Sequence, residues 1–233
     1  MVRRDTPQQH STANCARAQL SLVEHALCPL DVSQGMQPMF QHERTYFYSD
    51  KHRNRRVAHA RVGAHSGISP HDELYLWGLL ALTLNRPEPQ PEFMATPYYC
   101  LRQLGAITPS KKGSREFELF REAIRRLAGV RYENDAFYDP IRREHRQVSF
   151  GLLSYSLPLD QTSSRAWRFA WDPIFFDICS ASGSTLRFDL HRYREFDPAT
   201  RRLYLFLKKL FWRKTSTSPL DLRHIAVDVL GFS

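Results

Sequence analysis

Lysine is scarce in this chain: of 33 basic residues only Lys51, Lys111, Lys112, Lys208, Lys209 and Lys214 are Lys, and the rest are Arg, whose planar fork suits phosphates and guanine edges. Cysteine is sparse too. Cys15, Cys28, Cys100 and Cys179 stand far apart with no CxxC pair, which argues against a disulfide framework or zinc ribbon and for reduced, mostly buried thiols. The longest apolar run, Leu76 to Leu84, is broken by Gly78 and Thr83 and is too short to span a bilayer. Arg3 and Arg4 are not followed by the apolar core of a secretory signal, so a cytoplasmic location is expected.

Catalytic signatures are missing as well. GxGxxG, GxxxxGK[ST], GxSxG and HExxH are all absent, and no two of the ten histidines lie one residue apart, as a rolling-circle nuclease would need to hold its metal. His52, His59, His65 and His71 have no ligand spacing, and Asp72, Glu73 and Glu88 read as cap and loop acids. No enzyme activity, metal or cofactor is expected.

What is present is a chain of 233 residues, 42% apolar and 12% aromatic, with a net charge of +9. That is enough for a packed core, and the basicity favours a polyanion such as DNA. The charge is uneven. Residues 41 to 63 carry six cations and two acids, and residues 187 to 214 carry nine cations and three acids.

The pattern divides the chain into a tail (1–40), a first domain (41–182) and a shorter second one (185–233), with the boundary in the polar hinge Ser180 to Ser184. The tail holds one apolar island, Leu20 to Leu30, read as a short helix that folds back on its own domain or docks on a partner. Residues 41 to 63 suggest one or two short edge strands. Helices are expected over Pro70 to Asn85, from Thr96-Pro97 to Gly105, from Ser114 to Ala128, over Ile174 to Cys179 and after Asp197-Pro198. In the last of these Leu203, Leu207 and Leu210 should face inward, and a further segment covers Pro219 to Leu230. Strands are expected over Val130 to Tyr138, Val148 to Leu159, Trp167 to Trp171 and Leu186 to Leu190. The fold class is therefore α+β: a winged helix of three helices plus a β-hairpin wing, followed by the beginning of a second winged helix.

Within that frame the pair Thr96–Gly105 and Ser114–Ala128 has helix-turn-helix logic. Arg115, Arg121 and Arg125 would reach bases or phosphates from one face, and Lys111 and Lys112 would contact the backbone. The same face could be merely solvated, held by pairs such as Glu118 with Arg121 or Arg125. Arg142, Arg143 and Arg146 suit a wing tip in a minor groove or an ordinary charged hairpin. Tyr46, Phe47 and Tyr48 read as core or cross-strand partners rather than a stacking platform, and Trp77, Trp167, Trp171 and Trp212 as core.

The run His71-Asp-Glu-Leu-Tyr-Leu-Trp-Gly-Leu-Leu-Ala-Leu, then Cys100-Leu-Arg-Gln-Leu-Gly105 and Phe120-Arg-Glu-Ala-Ile-Arg-Arg-Leu-Ala-Gly129, resembles the first winged helix of the plasmid replication initiator protein A family. Phe188-Asp-Leu-His-Arg-Tyr193 with Arg201-Arg-Leu-Tyr-Leu-Phe-Leu-Lys-Lys209 is similar to the start of its second. The resemblance covers about residues 42 to 233. It implies a non-enzymatic initiator that binds repeated origin sequences in double-stranded DNA, forms a homodimer and recruits host replication proteins. It further implies DNA contacts at Arg115, Arg121 and Arg125, a wing at Arg142, Arg143 and Arg146, and backbone contacts at Lys208, Lys209, Arg213 and Lys214. The family pattern continues past Gly231 with a recognition helix and wing, so a truncated form or an incomplete second module is expected. A winged-helix transcriptional regulator and a metal-dependent nucleic-acid-processing enzyme are the alternative readings.

Overall fold

The computed structural model describes residues 15–108, 113–160, 163, 165–212, 215–217 and 219–232. It runs through β1 (Cys15–Gln19), a 3-10 turn (Leu22–Glu24), α1 (Val32–Gly35), β2 (Phe40–Ser49), β3 (Arg55–Ala64), α2 (Asp72–Leu84), β4 (Glu92–Ala95) and α3 (Pro97–Gln103). Next come α4 (Ser114–Ala128), β5 (Val130–Asp139), β6 (Glu144–Gly151), β7 (Leu153–Ser156), β8 (Trp167–Trp171) and α5 (Pro173–Ser180). The last elements are β9 (Thr185–Asp189), α6 (Leu190–Glu195), α7 (Pro198–Leu210), α8 (Leu222–His224) and a π-helical turn (Ile225–Leu230). The fold is mixed α and β, and none of the described helices is long and apolar enough to cross a membrane.

Cap residues followed by proline place three helix starts as expected, because a side-chain oxygen satisfies the first free amides and proline already has helical φ. Thr96 accepts from the amide of Tyr99, Asp172 from those of Ile174 and Phe175, and Asp197 from that of Thr200. The start of α2 differs. Ser69 does not cap it; Asp72 accepts from the Ser69 amide at 2.9 Å, so Ser69 to His71 form a turn before the helix. Nearly every residue of α2 is buried, including Tyr75, Leu76 and Leu79 beyond the expected stripe, which makes it the central helix.

The expected three-stranded hairpin set resolves into two sheets. β5 and β6 join the long hairpin β2–β3 in a four-stranded antiparallel sheet of order β2-β3-β5-β6. Only Leu152 separates β6 from β7, and there the chain crosses to a second sheet of order β4-β8-β7. Residues 41 to 63 thus form strands of ten residues rather than short edges, with Ala58, Ala60, Val62 and Ala64 facing the core. Of the aromatic trio there, Tyr46 is buried with its hydroxyl 2.9 Å from Asn134 Oδ1, Phe47 lies under the Arg55 guanidinium, and Tyr48 meets the His145 ring.

The tail is packed from Cys15 onward, while residues 1 to 14 lie outside the described residues. β1 pairs with β9, and the Leu20 amide donates to Ser184 O at 2.9 Å, so the two sides of the hinge are joined directly. The apolar island is not the expected helix. Beyond its 3-10 turn it runs irregularly, with Leu22, Val23, Ala26, Leu27 and Cys28 buried. The Ala26 amide donates to Asp228 O and the Leu30 amide to Gly231 O, which fixes the C-terminal turn on the island. Gly231 sits at φ +85°, and a Cβ there would come within 2.8 Å of Cys28 O.

α7 is rotated from the expected orientation. Arg201, Arg202 and Leu205 are buried, whereas Leu203, Leu207 and Leu210 are half-buried. Trp77, Trp167 and Trp171 are core residues, but Trp212 is 47% exposed just after α7.

Candidate nucleic-acid interface

Helix α4 is held by its apolar stripe and by one ion pair. Phe120 stacks parallel to Trp167 of β8, with centroids 5.5 Å apart, and meets Tyr75 of α2 at 5.3 Å. The Arg126 guanidinium donates through Nε and Nη2 to the two carboxylate oxygens of the buried Asp72, both at 2.7 Å. That hydrogen bonding holds the guanidinium pKa above its usual value. Neither Arg126 nor its partnership with Asp72 was expected, since Asp72 reads as a cap acid in the sequence.

The three candidate arginines of α4 have different fates. Arg115 is exposed and carries no ion pair among the described residues. The Arg121 side chain is only 12% exposed, 3.7 Å from Glu118 and over the Trp167 ring, so it is turned toward β8. Arg125 pairs with Glu122 at 2.7 Å in partial exposure. Arg125 is thus paired toward solvent, whereas Arg121 lies against β8. Lys111 and Lys112 lie outside the described residues.

Arg142, Arg143 and Arg146 are exposed at the β5–β6 turn. Asp139 organises that turn, accepting from the amides of Ile141 and Arg142 and pairing with the Arg142 guanidinium at 3.2 Å. Arg143 adopts φ +59°, and Arg146 is 3.6 Å from Glu144. This turn belongs to the four-stranded sheet, whereas α4 packs against β7 of the other sheet. Arg165, just ahead of β8 in the second sheet, is exposed. The sequence reads Val148 to Leu159 as a single strand, whereas the backbone changes sheets at Leu152.

The cationic α7 is largely spent internally. Arg201 donates to the carbonyls of Tyr193 and Arg194, and Arg202 donates to Glu73. Lys209 donates to Leu20 O at 2.7 Å and pairs with Glu24, so it holds the N-terminal segment rather than facing a ligand. Lys208 is exposed beside the Tyr204 ring. Arg213 and Lys214 lie outside the described residues. Among the described residues no group of three or more His, Cys, Asp or Glu side chains is placed to hold a metal ion.

No family model matches the chain, and no curated protein matches it in sequence. Among solved structures, the crystal structure of domains 2 and 3 of RctB is similar with a TM-score of 0.47 at 15% identity, over 84% of this chain and 72% of that one.

Proposed function

We propose that the chain is a non-enzymatic, origin-binding replication initiator that acts in the cytoplasm and grips repeated duplex DNA through a winged helix built from α2, β4, α3, α4, β7 and β8. The observation that carries this reading is the order of those elements. A strand between the first two helices pairs with the last strand, giving the sheet β4-β8-β7 beside α4. The Phe120–Trp167 stack holds α4 on that sheet and the Asp72–Arg126 pair holds it on α2, which leaves Arg115 in its first turn open to a groove. The sequence of the preceding loop supplies Lys111 and Lys112. Homodimerisation and recruitment of host replication proteins belong to the same reading.

The test is fluorescence anisotropy of the full chain on duplex repeats from the DNA flanking its gene, against scrambled duplex. Arg115→Ala should weaken binding to the repeats about tenfold. Arg125→Ala should weaken it less, because Glu122 already occupies that guanidinium. Binding that stays equal on repeat and scrambled DNA at moderate salt, or that ignores Arg115→Ala, would overturn the reading.

A further inference from the structure

A second basic surface lies away from α4, where β1, β9 and the C-terminal ends of α5 and α7 enclose an open groove of about 630 Å³. Arg17 and Arg187 are directly opposite in the antiparallel β1–β9 pair. Residues so placed have Cβ atoms about 5 Å apart, and like charges there repel. Burial and the neighbouring Arg187 both lower the Arg17 pKa. Lys208 of α7 lines the same groove, and no carboxylate side chain is among its described lining residues. Arg17 Nε donates to Asn85 at 2.9 Å, whereas Arg187 and Lys208 carry no ion pair among the described residues.

The two helix ends account for only part of this charge. Each contributes about −0.5, so three cations leave an excess of about +2 for an outside anion. Phe211 and Trp212 follow α7 directly, line the groove and are 42% and 47% exposed. Aromatic faces beside a cationic track suit unpaired bases, whose π-faces are available, and gain little from a duplex, whose bases are already stacked.

We propose that this groove binds a segment of single-stranded DNA, with phosphates at Arg17, Arg187 and Lys208 and a base against Trp212 or Phe211. The site uses no residue of α2–α4 or β7–β8 and does not depend on the duplex reading.

Trp212 also supplies the probe, because the other three tryptophans are buried. Titrating the full chain with a thymidine decamer should quench tryptophan fluorescence saturably, and Trp212→Phe should abolish the quench while anisotropy with labelled decamer still reports binding. The double variant Arg187→Gln/Lys208→Gln should weaken decamer binding about tenfold, and Arg187→Gln alone should leave duplex binding and its dependence on Arg115 unchanged. Both side chains are exposed, and the single variants, each expected to weaken binding about threefold, keep the test open if the double variant loses its native circular dichroism. Decamer affinity unaffected by these changes would overturn the proposal, as would equal competition by thymidine monophosphate or by duplex of the same length.

Discussion

Replacing Arg202 by Ala is expected to lower the unfolding free energy by about 3–5 kcal/mol, the cost of leaving a buried carboxylate without its counter-charge. Arg202 and Glu73 are 6% and 5% exposed. Arg202 Nη2 and Nε donate to Glu73 Oε1 at 2.7 and 3.0 Å, Nη1 donates to Leu230 O at 2.6 Å, and Nη2 reaches Cys28 Sγ at 3.2 Å. Burial opposes the guanidinium charge, yet Glu73 and Cys28 outweigh it and the pKa is raised. One side chain thus ties α2, α7, the N-terminal island and the C-terminal turn together. Urea unfolding should show a lower midpoint with an unchanged slope. The double variant Glu73→Leu/Arg202→Leu should recover most of the loss, because a matched apolar pair has no stranded charge. A single-variant cost near that of a surface arginine, within about 0.5 kcal/mol, would contradict this account.

Acidification is expected to destabilise the fold well before the carboxylates titrate. His25 is fully buried between Tyr46 and Tyr132, and burial first, then the charges of Lys209 and Arg44, lower its pKa to about 3. Asn134 donates to the Tyr132 hydroxyl, which lies 3.0 Å from His25 Nε2. His42 is lowered to about 3 by burial and then by Arg44, Arg202 and His25. Both rings are neutral when folded, while in the unfolded chain they gain protons below about pH 6.5. Their contribution is complete above that pH and falls as pH drops toward 3, at about 1.4 kcal/mol per unit for each histidine. At pH 5 the two together should cost about 4 kcal/mol. Urea midpoints measured from pH 7 to 5 check this, and His42→Gln should halve the slope. A flat profile over that range would contradict this account, because it would mean that the rings take up protons in the folded protein as they do in the unfolded chain.

The elements that the sequence announces are those with local causes. Thr96-Pro97, Asp172-Pro173 and Asp197-Pro198 specify helix starts through the side chain and ring of adjacent residues. β1 has no such cause: Cys-Ala-Arg-Ala-Gln lacks β-branched and aromatic residues and is a strand because β9 pairs with it. β4 is four residues long and equally dependent on β8. The candidate site was harder to read, since the side chains that seemed aimed outward at DNA are partly used inside. Arg201 and Arg202 lie one turn before Leu205 and share its buried face, a spacing that could have flagged them. Their partners on α6 and α2 could not be inferred from spacing alone. Arg121 is captured by Trp167 and Lys209 by Glu24 for the same reason: the partner is close in space and distant in sequence.

The pairing of β1 with β9 also sets a timetable. Cys15 opposes Asp189, so roughly 170 further residues must be made after β1 before β9 can pair with it. At the usual pace of translation that delay is roughly ten to thirty seconds. Throughout it Leu22, Val23 and Leu27 lack the α7 and C-terminal surfaces that later cover them, so this stretch cannot close before α7 has been made.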